Sequence, residues 1–143
     1  DNRKPMNYHA NINASQSVFN VSDSTYHKVG LSATTGSGAL ASAADDDLEI
    51  KRSGLYRSAF SAYASLEGDG AALDVKIVKG STAEAFGKVV SDENSDSFSA
   101  MCLYTDQLTA HHTTDTISFQ YQHTNSSSEA VKYSLTFEEQ ING

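Results

Sequence analysis

Residues 54–66 read GLYRSAFSAYASL, a segment in which the character of the side chains alternates from one residue to the next. Successive side chains of a β-strand point to opposite faces of its sheet. One face of this segment would then carry aromatic, aliphatic and small side chains: Tyr56, Ser58, Phe60, Ala62, Ala64 and Leu66. A period of two kept over the whole segment predicts a long strand with that face against a core.

The same alternation recurs in residues 71–79, 116–124 and 130–138. In the last of these, the face that we expect to be buried reads Val131, Tyr133, Leu135 and Phe137. Clusters rich in Gly, Asn, Asp and Ser separate the alternating segments, as tight turns require. We predict further strands at residues 6–12, 17–21, 27–32, 48–52, 85–90 and 98–105. Many short strands at this spacing indicate an all-β sandwich or barrel.

Residues 39–48, ALASAADDDL, do not alternate clearly. Their alanine content favours a helical turn, whereas the Gly-Ser run before them and the acidic triplet 45–47 favour a solvated loop. We expect the loop.

Two of the predicted strands are apolar on both faces. The second face of 54–66 is too apolar and too small for a solvated surface, and Met101 and Leu103 lie opposite the core face of 98–105. Such faces indicate that another chain covers this part of the sheet. The alternative is that a loop of the same chain covers it. We predict an oligomer interface formed by Leu55, Arg57, Ala59, Tyr63, Met101 and Leu103.

The order of these segments resembles the jelly roll of the tumour necrosis factor (TNF) and C1q superfamily. Gly54-Leu55-Tyr56 resembles the family's Gly-x-Tyr strand, Asp115 opens an apolar strand, and residues 133–137 resemble its closing aromatic strand. The resemblance implies an antiparallel β-sandwich jelly roll, packed as a homotrimer through its inner sheet. We expect a jelly-roll domain at residues 15–143 and an N-terminal arm at residues 1–14.

The acidic, Ser- and Thr-rich sequence with a free cysteine is similar in style to jelly rolls of bacteriophage virions. The resemblance then implies a non-enzymatic capsid decoration protein that cements a phage head, with itself and the major capsid protein or another virion shell protein as partners. The arm residues Arg3, Lys4, Tyr8 and His9 would dock on the shell. The alternatives are a receptor- or glycan-binding head of a spike or fibre, and a secreted, extracellular ligand module of the C1q/TNF type.

Length and composition argue against several classes of function. The 143 residues suit one domain. A net charge of −8 argues against a phosphate-backbone binder, and no apolar run is long enough to span a membrane. The single cysteine excludes an internal disulfide framework. The sequence shows none of the common catalytic motifs, so we expect no enzyme activity and no cofactor.

A few residues nevertheless have side chains that could bind a metal ion, transfer a proton or react as a thiol. His111 and His112, with Asp106 and Asp115, have the side chains of a metal or acid–base site. We interpret residues 107–114 as a solvated loop; a histidine ring at a trimer apex that binds metal or senses pH is the alternative. The acidic turns 45–47 and 92–96 are expected to be solvated, with calcium binding as the alternative. Cys102 is expected to be a buried, inert thiol.

Overall fold

The computed structural model describes residues 7–10, 15–18, 25–31, 35–36, 41–44, 46–67, 69–92, 96–125 and 129–140. Side chains are described for residues 25–31, 46–67, 69–92, 97–125 and 131–140. Within these ranges the chain forms twelve strands. They are β1 (Asn7–Ala10), β2 (Ser15–Val18), β3 (His27–Lys28), β4 (Thr35–Gly36), β5 (Ala41–Ala44), β6 (Asp47–Ile50), β7 (Gly54–Leu66), β8 (Ala72–Lys79), β9 (Thr82–Val90), β10 (Asp96–Leu108), β11 (Ile117–His123) and β12 (Glu129–Gln140).

The strands form two antiparallel sheets. Sheet 1 has the order β10-β7-β12-β1-β4, and β2 also pairs with β12. Sheet 2 has the order β5-β6-β11-β8-β9, and β3 also pairs with β11. Consecutive strands alternate between the sheets over much of the chain, so this is a jelly-roll sandwich, as predicted.

The core lies between the sheets, where their inward side chains meet. Phe60 of sheet 1 packs edge-on against Phe119 of sheet 2, with ring centroids 5.5 Å apart. Within sheet 1, Tyr56 stacks on Phe137 at 4.9 Å. All four rings are almost completely buried. The alternation read from residues 54–66, 116–124 and 130–138 therefore identified the core face correctly.

The expectation of a loop at residues 39–48 is wrong. Residues 41–44 and 47–50 form the hairpin β5–β6, in which Ala44 pairs with Asp47. Asp46 turns the chain with a positive φ of 63°, a conformation that aspartate tolerates better than most residues. Its carboxylate also accepts a hydrogen bond from the Leu31 amide at 3.2 Å. Asp46 and Asp47 of the acidic triplet thus belong to this hairpin and not to a solvated loop.

Other strands are confirmed with shifted ends. The predicted strand 98–105 runs over Asp96–Leu108, paired along its whole length with β7. The predicted strand 27–32 ends at Lys28, although Val29 still donates to the Phe119 carbonyl at 2.8 Å. Of the predicted strand 17–21, residues 19–21 lie outside the described residues.

Part of the segment expected to form an arm belongs to sheet 1. β1, at residues 7–10, pairs with β12 on one side and with β4 on the other. Residues 1–6 lie outside the described residues.

Candidate functional site: an apolar sheet face and a loop-end pocket

The outward face of sheet 1 exposes apolar side chains at the β7–β10 pair. Met101 and Leu103 are each 64% exposed and Tyr63 is 44% exposed. The strand register places Leu103 opposite Ala59 and Met101 opposite Ser61. Cross-strand neighbours on one face lie in contact distance, so these residues form a continuous apolar patch.

Small side chains of β12 extend this surface. Ser134 pairs with Ser61 and Thr136 with Ala59, and the two serine hydroxyls are 3.1 Å apart. A shallow cavity of about 110 Å³ opens here, lined by Ala59, Phe60, Ser61, Met101, Ser134, Leu135 and Thr136. We call the outward surface of β7, β10 and β12 the sheet 1 face.

All six residues predicted as an oligomer interface lie on the sheet 1 face. Leu55 and Ala59 are partly buried and Arg57 is exposed. Arg57 bonds to Glu138 of β12 at 2.6 Å and adds a charged margin to the apolar patch. The structure brings these residues together; their role in association remains a prediction.

The outward face of sheet 2 is polar at its centre. Gln120 and Gln122 of β11 lie beside Lys76 and Asp74 of β8, and Lys76 sits 3.8 Å above the ring of Tyr26. Exposed apolar side chains on this sheet, Phe86 and Val90, belong to its edge strand β9. The sheet 1 face differs because its exposed apolar side chains extend from the edge strand β10 onto its neighbour β7.

The loop at residues 109–116 joins β10 to β11 at one end of the sandwich. Its backbone is fixed by four hydrogen bonds to groups near that end. The Thr109 amide donates to Asp115 at 2.7 Å, Ala110 to the Ser53 hydroxyl at 2.8 Å, His111 to the Ile50 carbonyl at 2.8 Å, and Gly80 donates to the Thr116 carbonyl at 2.8 Å. The loop predicted at residues 107–114 is present from residue 109, whereas Gln107 and Leu108 belong to β10.

A pocket of about 240 Å³ opens beside this loop, lined by Glu49, His111, His112, Thr113 and Thr116. The Nδ1 atom of His111 is 3.6 Å from a Glu49 oxygen. We call this the loop-end pocket. His111 and His112 line it together, and Asp115 is close to His112, with Nδ1 3.9 Å from its carboxylate oxygen.

No protein-family model matches the sequence, and the comparison with curated proteins found no significant match. The fold, in contrast, has clear counterparts among solved structures. Eiger TNF from S. frugiperda superposes with a TM-score of 0.59 at 10% identity, covering 97% of this chain and 93% of that one. Murine APRIL gives 0.59 at 12% identity over 96% of this chain and all of that one.

The PRD1 vertex protein P5 gives a TM-score of 0.56 at 12% identity, covering 96% of this chain and 73% of that one. The chain has the fold of a TNF-like jelly roll. The fold implied by the resemblance in the sequence is therefore confirmed.

Asp106 does not join the histidines in this TNF-like jelly roll. It accepts hydrogen bonds from Lys79 at 2.7 Å and from the Tyr104 hydroxyl. These two donors lower the pKa of the Asp106 carboxyl. Burial, followed by the bond to Asp106, raises the pKa of Tyr104. Asp106 thus belongs to a separate cluster that joins β10 to Lys79 of β8, and among the described residues no group of three ligands suits a metal ion.

Two further predictions concern single groups. Cys102 is buried as expected, and burial raises the pKa of its thiol to about 11, so very little reactive thiolate forms at neutral pH. Of the acidic turn 45–47, Asp47 bonds to Lys28 at 3.0 Å. Residues 45 and 93–95 lie outside the described residues.

The structure describes two of the four residues that are predicted to dock on a shell. Arg3 and Lys4 lie outside the described residues, and Tyr8 and His9 are described only as backbone of β1. Their docking role stays a prediction.

The described part of the chain contains no helix of sufficient length and hydropathy to cross a membrane.

The sequence did not point to several residues of these surfaces. Glu49, Thr113 and Thr116 line the loop-end pocket, and Ser134 and Thr136 line the sheet 1 face. Glu49 meets His111 only because β6 and the 109–116 loop reach the same end of the sandwich. No motif or spacing in the chain signals that meeting.

Proposed function

We propose that this chain is a non-enzymatic structural protein of a virion surface that assembles as a homotrimer through the sheet 1 face. The exposed apolar patch of Tyr63, Met101 and Leu103 carries the proposal. Burying one such side chain contributes about 1.5–3 kcal/mol when it passes from full exposure to full burial. In a single chain these three side chains remain in contact with water, and self-association would bury them and gain that free energy.

A ring of identical subunits suits the asymmetry of this surface. The patch lies towards the β10 edge of sheet 1, while β12 and β1 continue the same sheet on the other side. When one part of a surface meets a different part of the next copy, the contacts close into a ring if the rotation allows. Arg57 and Glu138 would then lie at the margin, where polar groups remain in contact with water.

The placement on a virion is supported by the fold's likeness to PRD1 vertex protein P5. In this proposal the trimer decorates a capsid and stabilises it, because a protein that binds only the assembled shell shifts the equilibrium towards assembly. Arg3, Lys4, Tyr8 and His9 near the N-terminus would contact the major capsid protein. Arg3 and Lys4 contribute positive charge to a chain whose net charge is −8.

The likeness to Eiger TNF and murine APRIL favours a second candidate. The trimer would then be an extracellular ligand or the receptor-binding head of a spike, and would recognise a cell-surface partner instead of a shell. Its loops, including 109–116, would provide the contacts.

Fractionation of virus particles distinguishes the two candidates. An antibody against the chain should detect it in purified particles of the source, and deletion of residues 1–6 should release it from the particles without dissociating the trimer. Absence from particles, together with binding of the purified trimer to host cells, would replace the first candidate by the second.

A further inference from the structure

We propose that the loop-end pocket binds a neutral sugar through two adjacent hydroxyl groups of its ring. The inference is independent of self-association and of the docking of a shell. It rests on a cavity of about 240 Å³ whose lining combines one carboxylate, two imidazoles and two hydroxyls: Glu49, His111, His112, Thr113 and Thr116. Pockets for drug-sized ligands measure about 300–1,000 Å³, so this volume suits a single small ring.

The pocket is organised before any ligand arrives. The 109–116 loop is tied to the β6–β7 connection through the Ile50 carbonyl and the Ser53 hydroxyl. It is tied to the β8–β9 turn through Gly80, and it closes on itself through the Asp115 amide, which donates to the His112 carbonyl at 3.0 Å. Because these groups are already ordered, a ligand would lose little free energy to loop ordering.

His111 stands in an unusual backbone conformation, with φ at 57°. Residues other than glycine adopt this conformation at a cost in free energy, and such conformations concentrate at functional sites. Glycine would turn the chain at this point without the cost. A histidine here places an imidazole at the pocket instead, opposite the Glu49 carboxylate.

The polar groups match hydroxyls, which both donate and accept. The 3.6 Å separation between Glu49 and His111 is too long for a hydrogen bond, so the carboxylate can accept from two neighbouring hydroxyls. His112 accepts at Nδ1 from the Thr114 amide at 3.3 Å. The Thr114 hydroxyl also lies 2.7 Å from that Nδ1 atom, so Nε2 is the ring nitrogen that can bond to a ligand.

Two other ligand chemistries fit less well. An anion would meet the Glu49 carboxylate in a chain with a net charge of −8. A metal ion needs three or more converging ligands, and the described residues offer no such group of His, Cys, Asp and Glu. A neutral polyol avoids both difficulties.

The test is a titration of the ¹⁵N-labelled chain with methyl galactoside, methyl mannoside and methyl glucoside, each to about 20 mM, a concentration that detects dissociation constants in the millimolar range. We expect at least one glycoside to shift the amide signals of Thr113 and Thr116. The variants Glu49→Gln and His111→Gly should each weaken that binding by about tenfold or more.

His111→Gly also separates recognition from folding. Because glycine suits the positive φ, this variant should melt at the same temperature as the wild type or higher while it loses the sugar. The control Glu84→Gln removes an exposed carboxylate of β9 outside the pocket and should bind as the wild type does. The proposal is overturned if no glycoside shifts these signals, if both pocket variants bind unchanged, or if only zinc chloride or inorganic phosphate shifts them.

Discussion

The backbone of Gly87 in β9 lies directly against the backbone of Met101 in β10. A β-carbon at residue 87 would stand 2.7 Å from the Met101 carbonyl carbon, closer than real β-carbons approach. β9 is the edge of sheet 2 and β10 the edge of sheet 1, so this contact joins the two sheets along one side of the sandwich. It also fixes the strand that carries Met101 and Leu103.

Replacing Gly87 by alanine should destabilise the fold because the two edge strands must separate to admit the methyl group. We expect a loss of about 2–4 kcal/mol in the free energy of unfolding, measured by urea denaturation. Gly30→Ala is the control, since the nearest atom to its added β-carbon is 3.9 Å away. Equal stability of both variants would show that β9 and β10 are not so close.

Asn125 is expected to stabilise the connection between the sheets. Its buried amide donates to the Ser65 carbonyl at 2.8 Å and accepts from the Glu67 amide at 2.9 Å. Asn125→Ala removes both bonds and should cost about 1–3 kcal/mol, measured by thermal unfolding; Gln107→Ala removes an exposed amide as the control. An unchanged melting temperature in Asn125→Ala would contradict the arrangement.

The Asp106 cluster predicts a pH dependence. Lys79 and Tyr104 hold the folded pKa of Asp106 below its ordinary value of 3.8. Its contribution to stability is therefore present above that value and is lost as the pH falls through the lower folded pKa. The wild type should exceed Asp106→Asn in urea midpoint at pH 7, and the difference should shrink below about pH 4.

The control for that measurement is Asp69→Asn, which makes the same change in net charge at an exposed turn residue. Because Asp106 is about one-third exposed, water screens its interactions and the expected difference is modest. A difference between wild type and Asp106→Asn that grows towards acid pH would refute the stated direction.

The sheet 1 face predicts how one charge affects assembly. Leu103→Glu should dissociate the trimer at micromolar concentration without unfolding the subunit, because residue 103 is 64% exposed in the single chain and a buried, unpaired carboxylate is costly. Light scattering and circular dichroism would measure mass and folding. Gln120→Glu, beside Lys28 and Lys76 on sheet 2, should leave the mass unchanged.

Periodicity predicted the sandwich because burial on one face of a strand leaves a direct trace in the sequence. The bounds of β7 agree with the predicted 54–66. Alternation failed at β5, where Ala41–Ala44 offers alternating small residues without a contrast in polarity. Alternation also predicted too short a strand for β10, because Asp106 and Gln107 continue the pairing with β7 beyond the apolar residues.

The two surfaces differed in how far the sequence could predict them. The sheet 1 face is visible as a second apolar pattern in β7 and β10, so its residues could be named in advance. The loop-end pocket joins Glu49 to His111 across the chain, and the His111 amide, in a residue of positive φ, donates to the Ile50 carbonyl of a distant strand. Long-range contacts of that kind emerge only with the fold.

The proposed trimer requires that the sheet 1 face be buried between copies of this chain. The most direct test is the solution mass of the purified wild-type chain, measured by light scattering on a sizing column at micromolar concentration. We expect the mass of a homotrimer, three times the 15.3 kDa of one chain. A mass of 15.3 kDa would contradict it, and would mean that Met101 and Leu103 remain in water.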